Sequence, residues 1–87
     1  LVHAQKIIKP MHDTMRQAGF SDVTLHQFHQ VCYPTGWWSC TIAAKSGTVA
    51  FNRETAAQAL TFPTSYYNAA IHTGSAALPQ FLKELLA

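Results

Sequence analysis

Tyr33-Pro34-Thr35-Gly36 constrains the fold of this chain more than any other stretch, because it lies between two runs that read as strands. Pro34 presets the first corner of a turn, and Gly36 closes it without a Cβ. Upstream, from Val23, residues Val23, Leu25 and Val31 share one parity while Phe28 and Cys32 share the other. Apolar side chains on both parities describe a strand covered on both faces. Downstream, residues 37–45 form a second strand, stopped by Ser46-Gly47. Two strands joined by a tight turn make an antiparallel hairpin. A turn that tight sets Cys32 opposite Trp37 and Cys40 opposite His29.

Helices flank the hairpin. Over residues 3–18, Ile7, Ile8, Met11, Met15 and Ala18 recur at helical spacing. Gly19 stands where a left-handed cap belongs, with Phe20 behind it. Pro10 either kinks this helix or lies in the first turn of a shorter one. Asn52 is placed to cap a helix over residues 53–60, with Glu54 in its first turn, and Phe62-Pro63-Thr64 ends it. Asn68 caps a further short helix, and Pro79 opens a last one that ends near Leu86. Phe81, Leu82, Leu85 and Leu86 supply its apolar face.

The chain has 87 residues, 48% of them apolar and only 11% charged. An ordinary soluble domain carries roughly a quarter charged residues. At this size the apolar faces are expected against something else, either the rest of a larger domain or a second copy of the chain. The six basic residues are scattered and the net charge is +2, so no stripe for nucleic acid or membrane is formed. No apolar run spans a bilayer, and two cysteines are too few for a secreted disulfide scaffold, so the expected setting is cytoplasmic. The chain opens at Leu1 rather than Met and is read as one unit over residues 1–87, a piece of a larger domain.

Candidate chemistry is sparse. His26, His29 and Cys32 recur every third residue, but on a strand His26 and His29 point to opposite faces and share no metal. Cys32 and Cys40 are expected to be buried, unbridged and unreactive. Asp13, Asp22, Glu54 and Glu84 are far apart and form no acid–base pair, and the isolated glycines make no phosphate loop. Tyr33, Trp37 and Trp38 cluster around the turn. Adjacent tryptophans on a strand face opposite sides, so one fills core while the other lines a pocket.

Two motifs resemble the polyamine aminopropyltransferases, the spermidine synthase family. Tyr33-Pro34-Thr35-Gly36-Trp37-Trp38, continuing through Ser39-Cys40-Thr41-Ile42-Ala43-Ala44-Lys45, is similar to that family's hairpin, which usually reads P-T-Y-P-S-G before a strand. Tyr66-Tyr67-Asn68-Ala69-Ala70-Ile71-His72 and Ala77-Leu78-Pro79-Gln80-Phe81 resemble its terminal signature, Y-Y-N-x-x-I-H followed by A-L-P-x-F. Val31 and Cys32 depart from the usual Pro and Thr, Gly74-Ser75 replaces bulkier residues, and Trp38 stands where an aliphatic residue is common.

The resemblance implies an α/β fold, the C-terminal part of a methyltransferase-like doubly wound sheet, built as helix, antiparallel β-hairpin and C-terminal helices. It implies transfer of an aminopropyl group from decarboxylated S-adenosylmethionine to putrescine or a related diamine. That co-substrate binds upstream of this segment, so no cofactor-binding, catalytic or metal residue is assigned here and the chain alone is expected to be inactive. Tyr33 matches the tyrosine that lines the diamine site, and Trp38 is assigned to the same wall. The expected partners are the diamine, the missing upstream part and a second copy of the chain. The rival expectation is a non-catalytic interaction or dimerisation module derived from that family.

Overall fold

A computed structural model describes residues 4–87. The elements run α1 (Gln5–Gln17), β1 (Asp22–His29), β2 (Trp37–Ala44), α2 (Glu54–Gln58), α3 (Ala69–Ser75) and α4 (Gln80–Leu86). The order is the one expected: helix, two strands, three helices. The strands pair antiparallel, so the expected hairpin is present within a fold of mixed helix and strand. Among the described residues no helix is long and apolar enough to cross a membrane.

The register differs from expectation. His29 pairs with Trp37, Phe28 with Trp38 and His26 with Cys40. Residues 30–36 therefore form a wide loop, and Val31 and Cys32 belong to it rather than to β1. The reason lies in the backbone. Gln30 turns inward: its N–H donates to the Gly36 carbonyl at 2.6 Å, and its side-chain Oε1 accepts from the Cys32 N–H at 3.3 Å. Local bonds thus satisfy groups that a ladder would otherwise need. Pro34, which has no N–H, could not have joined that ladder. Val31 is left 83% exposed.

Alternation then assigns two faces to the sheet. Val23, Leu25 and Gln27 share one face with Trp37, Ser39, Thr41 and Ala43. Against that face lie α1 and α4, where Ile8, Leu25 and Leu82 form the core with Trp37, Leu78 and Leu85 packed around it. Trp37 meets Phe81 edge-on at 5.7 Å, and its indole N–H donates to Gln27 Oε1 at 2.7 Å. Gln27 in turn donates to the Ala77 carbonyl. On the opposite face, α3 covers β1 through His26, whose Nδ1 bonds Ser75 Oγ at 2.7 Å.

β1 is thus covered on both sides, as its two-parity pattern suggested. β2 is not: exposed and half-buried residues alternate along it. This corrects the expectation for the cysteines. Cys32 sits in the loop, Cys40 lies on the face of β2 that α3 leaves open, and both thiols are free and exposed.

The helices also show where local rules won. Gly19 adopts φ +102°, and the N–H groups of Gly19 and Phe20 reach back to the Arg16 and Met15 carbonyls, completing the expected left-handed cap. Asn68 Oδ1 accepts from the Ile71 N–H at 2.8 Å, the expected cap of α3. Asn52 does not cap α2, which spans only Glu54–Gln58 behind Arg53. Its own N–H instead donates to the Ala50 carbonyl in a preceding turn.

In α1 the helix continues through Pro10, so the shorter-helix alternative fails. Thr14 Oγ1 donates to the Pro10 carbonyl at 2.8 Å. The buried stripe is Ile8 and His12 rather than the full apolar set, and Ile7 faces out.

Candidate functional site

The loop of residues 30–36 and the start of β2 bring Tyr33 and Trp38 together. Their ring centroids are 4.9 Å apart with planes 24° from parallel, an offset stack. Tyr33 is 54% exposed and Trp38 38%, so the pair stands at the tip of the hairpin in contact with solvent. The Trp38 indole N–H donates to the Thr35 carbonyl at 2.8 Å, inside the same loop. The Tyr33 N–H lies 3.4 Å from the Gln30 carbonyl. Both residues assigned to a binding wall are therefore adjacent, and the two tryptophans divide as alternation requires, Trp37 to core and Trp38 outward.

Such a wall offers apolar ring surface, a phenol that donates and accepts, and the negative face of an aromatic quadrupole for a cation. The acidic side chains do not join it. Asp13 is on α1, Asp22 opens β1, Glu54 is on α2 and Glu84 on α4. Lys9 and Asp13 pair with each other on α1, and Asp22 Oδ2 accepts from the Val49 N–H at 2.7 Å.

A second polar cluster lies between the sheet and α3. His72 stacks on Phe51 with centroids 3.7 Å apart, and its Nδ1 bonds the Tyr67 hydroxyl at 2.8 Å. Its ring lies 6.1 Å from that of His26. Tyr66 accepts a hydrogen bond from the His29 N–H at 3.2 Å, fastening the segment before α3 to the end of β1. A cavity of about 210 Å³ between these groups is lined by His26, Phe28, Cys40, Tyr66 and His72 among others.

The protons of this cluster can be assigned by elimination. Ser75 donates its one hydroxyl proton to the His72 carbonyl at 2.6 Å. Its oxygen must then accept from His26, so His26 carries its proton on Nδ1. His26 Nε2 is left buried with no partner among the described residues. Burial, and after it the neighbouring His72, push the His26 pKa below 6.5.

On the other face, His12 Nε2 bonds Thr41 Oγ1 at 2.9 Å, and its Nδ1 is buried with no partner among the described residues. Burial first, then Arg16, holds the His12 pKa below 6.5 against the opposing pull of Asp13. His12 follows Ile8 by one helical turn, and that spacing was the available signal for its burial. Among the described residues no three His, Cys, Asp or Glu side chains approach closely enough to hold a metal ion.

No protein-family model matches the chain, and no solved structure does. Relatives of known name do match. The chain is 48% identical over 86 residues to the polyamine aminopropyltransferase of Thioalkalivibrio sulfidiphilus and 43% identical over 86 residues to that of Alkalilimnicola ehrlichii. In both cases the match covers 99% of this chain and 30% of the relative. The enzyme of the same name from Methylococcus capsulatus is 48% identical over 80 residues, 92% of this chain and 28% of the relative. The chain thus spans under a third of the length of these relatives. Over nearly its whole length, it is homologous to polyamine aminopropyltransferases and represents their C-terminal segment.

Proposed function

We propose that this segment supplies one wall of the acceptor site in an aminopropyltransferase that moves an aminopropyl group from decarboxylated S-adenosylmethionine to putrescine or a similar diamine. The observation that carries the reading is the exposed, stacked Tyr33–Trp38 pair at the hairpin tip. A diamine is a pair of ammonium groups joined by methylenes. Ring faces accommodate the methylenes, a phenol oxygen accepts from an amine, and a π face attracts the charge. In the transfer itself a neutral amine nitrogen attacks the carbon beside the sulfonium, the carbon–sulfur bond breaks, and methylthioadenosine leaves. The attacking nitrogen must first lose a proton to a base.

Loop 30–36 contains no carboxylate, so in this reading the base and the partners of the far ammonium come from the upstream part of the domain. That part also binds the sulfonium co-substrate, and the segment by itself is inactive. The methyltransferase-like sheet belongs to the same proposal, and a β1 flanked by helices on both faces fits it. Two exposed free thiols suit a reducing, cytoplasmic setting. The second reading, a pairing module without catalysis, draws on Ile7, Val31 and Phe62, all mostly exposed and available to a second copy of the chain.

A chimera separates the two. The matching C-terminal segment of the Thioalkalivibrio sulfidiphilus relative is replaced by this chain, and methylthioadenosine release is followed with putrescine as acceptor. An active chimera is expected, with Tyr33→Phe raising the diamine KM about tenfold through the lost bond to an amine. A folded chimera without turnover, or an active one in which Tyr33→Ala changes neither KM nor kcat, would overturn the proposal.

A further inference from the structure

We infer that Trp38 is a positioning residue: it holds the Tyr33 ring from behind, so that a ligand meets only the other face of Tyr33 and its hydroxyl. The inference rests on the acceptor-site reading above and adds the division of labour within the pair. Two contacts of the indole, one over its face and one at its edge, carry it. The ring stacks on Tyr33 at 4.9 Å, and the N–H is tied to the Thr35 carbonyl at 2.8 Å. Trp38 itself is fixed by the ladder, opposite Phe28. A strand residue thereby grips the loop at Thr35 and at Tyr33, on the two sides of Pro34.

Tyr33 needs such a support. Around it the loop backbone is held by Gln30, whose groups bond the N–H of Cys32, the N–H of Tyr33 and the Gly36 carbonyl. Those bonds set the path of the chain but leave the tyrosine side chain free to turn about χ1. More than half of its surface faces solvent, so packing does not hold it. The indole face is the contact that does. Burial alone does not account for Trp38, which keeps 38% of its surface exposed and still directs its N–H to Thr35. One face of Tyr33 is consequently spent inside the protein. An extended, unbranched aliphatic amine can lie along the remaining face with its nitrogen at the phenol oxygen.

The experiment has two arms. In the first, 3-fluorotyrosine is incorporated into the chain and the position-33 signal is identified by its loss in Tyr33→Phe. Ring stacking is expected to displace this signal from its position in denaturant. The displacement should be abolished in Trp38→Leu and largely kept in Trp38→Phe, which retains a flat ring. A signal at the denatured position in the unsubstituted chain, or one unmoved by Trp38→Leu, overturns the inference.

In the second arm the active chimera carries the same substitutions. Trp38→Leu is expected to raise the diamine KM about two- to tenfold, the worth of an aromatic pair. The KM for decarboxylated S-adenosylmethionine should stay unchanged, and Trp38→Phe should recover most of the loss. A diamine KM that Trp38→Leu leaves unchanged overturns the positioning role. An inactive chimera instead overturns the acceptor-site reading, and the fluorine signal then decides the brace by itself.

Discussion

Acidification should unfold this chain from two points at once, the buried imidazoles of His12 and His26. Each is neutral in the fold because it is buried, 1% and 9% exposed, with one ring nitrogen lacking any partner among the described residues. Protonating His26 would put an N–H⁺ on Nε2, facing no acceptor and close to His72. Both folded pKa values lie below 6.5, the ordinary value that applies once the chain unfolds.

The unfolded chain therefore takes up protons first as the pH drops, and unfolding is favoured by acid. Stability from these two groups is complete above about 6.5 and is lost as the pH falls from there toward the folded pKa values. Within that window each imidazole contributes at most about 1.4 kcal/mol per pH unit, so the pair gives a slope of up to roughly 3 kcal/mol per unit. A domain of this size has on the order of 4 to 13 kcal/mol in all. One unit of acidification then removes a substantial part of it.

Urea unfolding between pH 8 and pH 5, read by tryptophan fluorescence, measures the slope directly. His12→Gln and His26→Gln should each remove about half. A stability that is flat or rises with acid, or a double substitution that keeps the full slope, would refute the assignment of neutral, buried imidazoles.

Two further outcomes test the packing. Leu82 is fully buried in the core with Ile8 and Leu25, so Leu82→Ala should cost about 2–5 kcal/mol by chemical denaturation. Asn68→Ala removes the side-chain acceptor of the Ile71 N–H and should cost about 1 kcal/mol, with Asn68→Asp close to neutral in the same assay.

The sequence was most legible where a local rule and the tertiary environment agreed. Gly19 and Asn68 act as caps because their backbone and side-chain chemistry suffices without help from afar. The two faces of β1 could be read from parity because helices cover both. Legibility ended where partners distant in sequence decided. Asn52 is as good a cap residue as Asn68, but the turn at Ala50 draws its backbone away before α2 begins. His12 looks polar on an apolar stripe until Thr41, distant in sequence, offers its hydroxyl. Cys40 reads as core, yet α3 is anchored over β1 by Ser75 and leaves the Cys40 face of β2 open. The stacked pair was legible in its members and not in its geometry, which depends on the path of loop 30–36.

The strand register decides what surrounds the candidate site. With the tight turn, Cys32 would face Trp37, Trp38 would face Val31, and Tyr33 would open the turn opposite Gly36. Tyr33 and Trp38 would still share a face as diagonal neighbours, but Tyr33 would be a rung of the ladder and Thr35 a corner of the turn. The wider loop instead ends β1 at His29, leaving residues 30–36 to double back so that Thr35 and Tyr33 both fall within reach of Trp38. Gln30 enforces this choice by taking three backbone groups of the loop for itself. The three-residue shift also changes what borders the pair: Phe28 stands opposite Trp38 in place of Val31, because an odd slip sends every side chain of a strand to the other face.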